Sequence, residues 1–226
     1  MSIEIANQFR RNKKKMKKLL FAAMLTSGVL FAGESATVIQ NGNVNTLSDD
    51  FQIKIDRTSP PEANHLAFDK PDSLVMLRMP KQERSLSIVV DVVPAAFPKK
   101  GIAAIATRQG FNNMLGIDTK GHFIFTIWGA DKKTMCAVRS PKKAECGRKY
   151  RLAGIINSKK DSAEIILLVD GKEVGHTALK TAPYPYSRDL YIGAATVNGH
   201  MAFHGAIENF FLSYSALSAE DVAQLK

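Results

Sequence analysis

The fold of this chain is decided by the stretch EIILLVDGKEV at residues 164–174. An apolar run rich in branched side chains ends at Asp170 and Gly171, and a second short run follows at once. Asp-Gly between two such runs is typical of the two-residue turn of a β-hairpin. The stretch therefore predicts two adjacent antiparallel strands.

Strand patterns continue on both sides of this hairpin. The segment LAGII precedes it at residues 152–156, and DLYIG and FHGAIENFFL follow at 189–193 and 203–212. Ser218 and Asp221 then have the spacing of a helix cap. The last third of the chain thus predicts a hairpin, a further strand, a long strand and a helical turn ending near residue 225.

This order of elements resembles the C-terminal half of laminin-G-like domains, which have the concanavalin A-like jelly-roll fold. The matching segments are VDGK at 169–172, L-x-I-G at 190–193, F-x-G-x-I at 203–207 and ALSAEDV at 216–222. The resemblance covers roughly residues 66–225. It implies an all-β sandwich of two antiparallel sheets with a short C-terminal helix, a fold that houses both binding modules and glycosidases.

The earlier part of the chain supplies further strands of the same kind. Residues 51–55 alternate apolar and polar, and residues 86–93 are long and β-branched, with Pro94 and Pro98 expected to end the second strand. Turn signals roughly every 8 to 12 residues are typical of a β-sandwich. One domain over residues 37–226 is therefore expected.

One predicted strand, at residues 122–128, has bulky side chains on both faces. Alternation places Phe123, Phe125 and Ile127 on one face. Ile124, Thr126 and Trp128 share the other. We therefore expect one face to pack on the core and the other to line a groove or be covered.

The first 36 residues have the pattern of a secretory signal. Seven basic residues precede an apolar run at 19–31, and small residues follow it. That run is shorter than the roughly 20 residues of a membrane-spanning helix. We expect a secreted or periplasmic bacterial protein that touches a membrane only through this segment before cleavage; the alternative is a retained membrane anchor.

The charge balance argues against a nucleic-acid partner. The chain has 31 basic and 21 acidic residues, but residues after position 36 hold 24 and 19, a net charge of +5. That value is ordinary for a soluble protein.

The basic side chains gather in residues 131–151, which also contain Cys136 and Cys146. In an oxidising compartment two cysteines favour a disulfide, and their spacing is not that of a metal site. The segment is interpreted as a protruding, disulfide-pinned loop or hairpin. It suits an acidic glycan, a cell-surface polymer or a phosphate-bearing lipid head group; the alternative is a solvated hairpin. Its named basic residues are Lys132, Lys133, Arg139, Lys142 and Lys143.

No enzyme motif is visible. The glucanases of this fold carry Glu-x-Asp-x-x-Glu on one strand, and no glutamate of the chain has Asp two positions later. The expected function is a non-catalytic binding module for a glycan or cell-surface ligand. The alternatives are an envelope structural or adhesion protein acting by protein contact and, third, a glycoside hydrolase.

Ligand contacts are expected from aromatic and polar side chains in loops. Sugar rings stack on flat aromatic faces, although a tryptophan can equally lie in the core and tyrosines can simply cover a loop. The candidates are Trp128, Tyr184 and Tyr186 for stacking, with Arg108, Asn112 and Asn113 as hydrogen-bonding partners.

A calcium ion is implied only by the resemblance, because laminin-G-like domains often hold one at a loop rim. Asp118, Asp189 and Asn198 are the candidate ligands. Aspartate in a turn is also common simply because it bends and caps the backbone.

Overall fold

The computed structural model describes residues 35–45, 52–56, 58, 65–70, 72–79, 85–108, 112–184 and 189–225. The predicted signal segment lies outside these ranges except for its last two residues. Within them, no helix is long and apolar enough to cross a bilayer.

The described residues form fifteen strands and one short helix. In chain order these are β1 Ser35–Gln40, β2 Asn43–Val44, β3 Gln52–Asp56, β4 Leu66–Phe68, β5 Val75–Arg78, β6 Leu86–Ala96, β7 Ile102–Arg108, β8 Asn113–Asp118, β9 Phe123–Trp128, β10 Met135–Arg139, β11 Tyr150–Ser158, β12 Ala163–Val169, β13 Lys172–Leu179, β14 Asp189–Ile192, β15 His204–Ser213 and helix α1 Ala219–Gln224.

These strands form two antiparallel sheets. The first has the order β13-β12-β11-β6-β15-β1-β2, with β4 also paired to β15. The second has the order β10-β9-β8-β7-β14-β5-β3. The predicted all-β sandwich with a short C-terminal helix is confirmed, and the predicted hairpin is the β12–β13 pair.

Strand β15 holds the first sheet together. Leu212 lies opposite Ile88 of β6 on one side and Ala36 of β1 on the other. Nearer its start, Ile207 lies opposite Val92 of β6 and Leu66 of β4. A single late strand therefore joins three strands from the first 96 residues.

The main core lies between the sheets and is built by alternation along the strands. Phe123, Phe125 and Ile127 of β9 are buried in it, as predicted, together with Ile88 and Val90 of β6. Each such side chain contributes roughly 1.5–3 kcal/mol by leaving water. The core therefore depends on keeping this register in both sheets.

Helix α1 covers the outer face of the first sheet. Ser218 accepts a hydrogen bond from the amide of Asp221, and the Asp221 carboxylate accepts one in return from Ser218, so the predicted capping is confirmed. Val222 is fully buried against a second apolar cluster that includes Ala153 and Ile155 of β11.

An ion pair on the same face fixes the end of the helix. The Arg151 guanidinium donates to both carboxylate oxygens of Asp91, at 2.7 and 2.8 Å, and to the carbonyl of Leu225 at 2.6 Å. Burial acts to raise the pKa of Asp91, but hydrogen bonds from Arg151 and Asn209 outweigh it, and that pKa lies below its ordinary value.

The prediction that Pro94 ends the strand at residues 86–93 is wrong. Strand β6 runs through Pro94 to Ala96. The neighbouring β11 begins only at Tyr150, opposite Val92, so on that side the proline lies beyond the ladder. A missing amide hydrogen is tolerated there.

We predict that Asp91→Asn lowers the free energy of unfolding by about 2–3 kcal/mol at pH 7, because it leaves the partly buried Arg151 guanidinium without its carboxylate. The folded-state pKa of Asp91 is depressed, so its contribution is present above the unfolded-state pKa and is lost as the pH falls through the folded-state value. Urea unfolding at pH 7 and pH 3 should show the gap between wild type and variant narrowing in acid.

The matched control is Glu164→Gln, which breaks the solvent-exposed pair between Glu164 and Lys159. No measurable change is expected at pH 7, since exposed pairs contribute little. An Asp91→Asn protein as stable as this control would contradict the assigned role of the ion pair.

Candidate functional site

The outer face of the second sheet carries an open groove of about 630 Å³ across β7 to β10. It is lined by Ile102, Met114, Ile124, Thr126, Trp128, Met135, Ala137, Arg139, His200 and Met201. The second face predicted for β9 is therefore confirmed as a groove wall.

The groove is apolar because the outer positions of these strands are apolar. Ile124 and Thr126 alternate with the core side chains of β9, and Met135 and Ala137 do the same on β10. Met135 is 50% exposed, which leaves a large apolar side chain open to solvent. In contrast to the first sheet, no helix of the described chain lies over this face.

One end of the groove brings together three of the predicted ligand residues. The Trp128 amide donates to the Asn112 carbonyl at 2.9 Å, and the Tyr184 amide donates to the Trp128 carbonyl at 2.9 Å. Trp128 and Tyr184 are half-buried, so part of each residue packs against the protein and part is accessible to solvent. The Lys132 ammonium lies 5.2 Å from the centre of the Tyr184 ring and occupies one of its faces. Tyr186 lies outside the described residues.

The polar partners predicted in a loop at this end are not exposed. Arg108 closes β7 and Asn113 opens β8, and both are fully buried; Asn112 is 7% exposed. The groove-lining Met114 follows Asn113 directly, so strand alternation turns the Asn113 side chain toward the interior. These residues support the end of the sheet from inside, and the expectation of surface hydrogen-bonding groups is corrected for them.

At the other end of the groove, Arg139 pairs with Asp118, with Nη2 and Oδ2 at 2.7 Å. The other Asp118 oxygen accepts from the amides of Lys120 and His122 at 2.8 and 2.9 Å. Burial acts to raise the pKa of Asp118, but these hydrogen bonds and Arg139 outweigh it and lower the pKa. Asp118 is therefore ionised, and both of its carboxylate oxygens have partners within the protein.

The three predicted calcium ligands are not brought together. Asp118 lies opposite Ile102 at the start of β7, whereas Asp189 precedes Leu190, which lies opposite Arg108 at the end of β7. Asp189 is hydrogen-bonded to Arg78, and Asn198 is exposed in the turn after β14. No group of three His, Cys, Asp or Glu side chains in the described ranges is placed to hold one ion. The predicted calcium site does not form from these residues.

The predicted disulfide is absent, because Cys136 and Cys146 are both free thiols. Cys136 lies opposite Ile127 of β9, whereas the Ala144 amide bonds to Gly121, in the turn before β9 begins at Phe123. At about 3.4 Å per residue, the part of β9 from Phe123 to Ile127 alone separates these positions by roughly 14 Å. A disulfide needs Cα atoms within about 7 Å.

The basic residues of the segment 131–151 do not lie on one disulfide-pinned protrusion. Residues 135–139 of the segment form the edge strand β10, which pairs with β9 along its whole length. Lys132 and Lys133 lie in the turn before this strand, and Lys142 and Lys143 lie in the segment after it, at the opposite end of the sheet. The alternation in Met135–Arg139, with Cys136 and Val138 turned to the core, is the signal that could have revealed the strand.

Sequence reasoning also missed the apolar lining of the groove outside β9. Ile102 and Met114 are apolar residues at outward positions of β7 and β8, and the alternation within these strands carries the signal for an outward face. His200 and Met201 join the groove from the turn region after β14. Their placement depends on a tertiary contact, a bridge between Ala104 and Ala202, that no local pattern encodes.

Comparison with known proteins identifies the family. The family model described as Concanavalin A-like lectin/glucanases superfamily, a laminin-G model, matches residues 72–223, so the resemblance found in the sequence is confirmed. Among curated proteins, none shows significant sequence similarity to this chain.

Solved structures with the same fold include several binding domains. CBM40 of the Ruminococcus gnavus IT-sialidase, bound to alpha2,3 sialyllactose, superposes with a TM-score of 0.50 at 14% identity, covering 63% of this chain and 83% of its own. The binding domain of Botulinum neurotoxin DC, in complex with rat synaptotagmin II, gives 0.58 at 13% identity over 84% of this chain and 52% of its own. The Botulinum neurotoxin serotype G binding domain gives 0.61 at 10% identity, over 84% and 49%. This chain thus spans about half of each toxin binding domain, and these likenesses concern the fold.

We predict two alkylatable thiols in the native protein, with Cys146 reacting before Cys136. Cys146 is exposed, whereas burial raises the pKa of the half-buried Cys136 and so lowers its thiolate fraction. Mass spectrometry after timed iodoacetamide treatment measures both rates, and guanidinium-unfolded protein is the control in which the rates converge. Protein that carries no free thiol until it is reduced would contradict the strand assignment of Cys136.

We predict that the native protein binds 8-anilinonaphthalene-1-sulfonate in the groove, because an open apolar surface is available there. Trp128 is the single tryptophan, so energy transfer from it to the dye reports binding at this face. Met135→Glu should weaken the transfer roughly tenfold by placing a charge in the groove. Ala216→Glu, at an exposed position before helix α1, is the matched control and should change nothing. Equal binding by both variants would place the dye elsewhere.

Proposed function

We propose that this chain, which belongs to the concanavalin A-like lectin/glucanase superfamily, is an exported, non-catalytic binding module that holds its ligand in the groove of the second sheet. The observation that carries this proposal is an open apolar groove of about 630 Å³ whose described lining contains no carboxylate. A cavity of this volume is in the range of ligand sites.

The chemistry of the groove supports binding over glycoside cleavage. Retaining glycosidases need two carboxyl groups about 5–5.5 Å apart, one of them able to donate a proton. Asp118 is the carboxylate that contacts the lining, through Arg139, and its lowered pKa is the opposite of what a proton donor needs. The binding domains among the structures of the same fold are consistent with this proposal.

The composition of the lining favours apolar side chains of another protein as the ligand. Seven of the ten lining residues are apolar, and the polar ones are Thr126, Arg139 and His200. Sugar hydroxyls against Ile124 and Met114 would lose their hydrogen bonds to water without replacement. The partner we propose is therefore a cell-envelope protein, and the chain acts by protein contact.

A glycan is the second candidate, and the half-buried Trp128 in the groove lining is the observation that favours it. A sugar ring can stack on the indole, while Lys132 already covers one face of the neighbouring Tyr184. The sialyllactose bound to CBM40 shows that a module of this fold takes a glycan in at least one protein.

The test is to place a photo-crosslinking amino acid at Ala137, an exposed position in the groove, and to compare it with the same residue at Ala216. We expect a crosslinked envelope protein from Ala137 and none from Ala216. In parallel, a glycan array is probed with wild type and with Trp128→Ala.

Each outcome decides between the candidates. A blank array with a partner crosslinked only from Ala137 supports protein contact. A saturable array signal that disappears with Trp128→Ala supports the glycan and overturns the protein ligand. Release of reducing sugar from a bound polysaccharide would overturn the non-catalytic proposal, and crosslinks from both positions would remove the groove as the contact surface.

A further inference from the structure

Three turns meet at the end of the sandwich where β6 leads into β7. The ring of Phe97 lies so close to Gly121 that a Cβ there would come within 2.9 Å of it. The Ala144 amide donates to the Gly121 carbonyl at 2.7 Å, and the Gly147 amide donates to the Pro94 carbonyl at 2.8 Å. The turns 97–101, 119–121 and 140–149 therefore form one surface, which we call the basic end.

The basic end displays five exposed lysines, and none of them forms an ion pair within the described ranges. They are Lys99, Lys100, Lys120, Lys142 and Lys143. The neighbouring Arg148 and Lys149 are paired with Asp170 and Glu208. Glu145 is the exposed carboxylate on these turns, so the surface keeps a clear excess of positive charge.

Such an excess has a cost for the isolated protein. Like charges on converging turns repel one another. Salt at physiological ionic strength screens charges over about 8 Å, so it only partly screens those on adjacent turns. A polyanion would remove this repulsion and release its own counterions at the same time. The arrangement is therefore suited to a negatively charged polymer.

The five exposed side chains named above are all lysines, and this indicates which kind of anion fits the surface. Lysine ammonium groups are mobile point charges without the rigid fork with which arginine grips a single phosphate or carboxylate. All five lie on exposed turns, and none lines the described groove. Repeating anions along an extended chain fit this pattern better than one small anion does.

Two other polyanionic partners fit less well. Docking on an anionic bilayer usually adds inserted apolar side chains, but Phe97 is half-buried and turned onto Gly121. Single-stranded nucleic acid needs exposed aromatic rings for base stacking, but Tyr150 is 5% exposed and lies beneath the Arg148 guanidinium.

We propose that the basic end is a second binding surface, separate from the groove, and that it takes an acidic polysaccharide. This proposal uses different residues from the groove and does not depend on the function proposed for it. The contact is electrostatic, so it should weaken strongly with salt, on the order of 100- to 500-fold between 50 and 200 mM NaCl for about five ammonium contacts.

The experiment measures the affinity of the full mature protein for fluorescein-labelled dextran sulfate by anisotropy at both salt concentrations, with uncharged dextran as the blank. The basic-end variant carries five Lys→Gln substitutions, at Lys99, Lys100, Lys120, Lys142 and Lys143. The matched variant carries the same five-charge change at the opposite end of the sandwich, at Lys132, Lys133, Lys159, Lys160 and Lys180.

We expect the basic-end variant to bind at least about 30-fold more weakly at 50 mM NaCl, with a much smaller salt dependence, and the matched variant to change less than about threefold. Because all ten lysines are exposed, thermal unfolding should show both variants folded. Equal weakening in the two variants would mean that net charge alone drives binding, and would overturn the proposal.

Two competitors test the choice of polymer. Vesicles containing phosphatidylglycerol and a single-stranded oligonucleotide, each at the same anion concentration as the dextran sulfate, should displace it poorly. Displacement by either at lower concentration than unlabelled dextran sulfate would replace the polysaccharide with a membrane surface or a nucleic acid as the partner.

Discussion

The pairing of β15 with β6 on one side and with β1 and β4 on the other is the constraint on which the rest of this structure depends. It holds together strands that are more than 100 residues apart in sequence. Such pairing costs loop-closure entropy before it returns contact energy, so topologies of this kind fold slowly. The first sheet cannot close until the last part of the chain is available, and truncation before residue 204 would leave β1 and β4 without their main partner.

The two outer faces of the sandwich differ, because a helix covers one and no helix of the described chain covers the other. On the first sheet, Val222 of helix α1 fills the apolar outer surface, and Arg151 ties the end of the helix to Asp91. The outer surface of the second sheet is also apolar around Ile124 and Met114, but the described chain leaves it open. A protein keeps an apolar surface of this kind exposed mainly where something is to be bound.

Local patterns in the sequence were sufficient for most of the fold. The Asp170–Gly171 turn, the alternation in β9 and the Ser218 cap all depend on residues within a few positions of one another, and all three are confirmed. The C-terminal motifs were specific enough to identify the superfamily. The groove wall on β9 followed from the same alternation.

The errors share one physical cause, which is that residue type was taken to indicate environment. Charge around Cys136 suggested a loop, although every second residue there is turned to the core. Arg108 was expected to be a hydrogen-bonding group in a loop, yet it is the last residue of β7 and is fully buried. The cysteine spacing fits a closed loop only if the chain reverses between the two residues, and it runs as a strand instead. Local sequence does not determine these outcomes, because each depends on which strand lies alongside.

The first described strand, β1, begins at the end of the sandwich remote from the basic end. Ser35 lies opposite Ser213, which in turn lies opposite Ser87, and from Ser87 strand β6 runs to Ala96 beside the lysine-bearing turns. That path is about 30 Å at the usual rise of a strand. Attachment to a solid support or a display scaffold at the Ser35 end of the sandwich would therefore leave the lysines of the basic end facing outward. Immobilisation through lysine side chains would instead block the basic end.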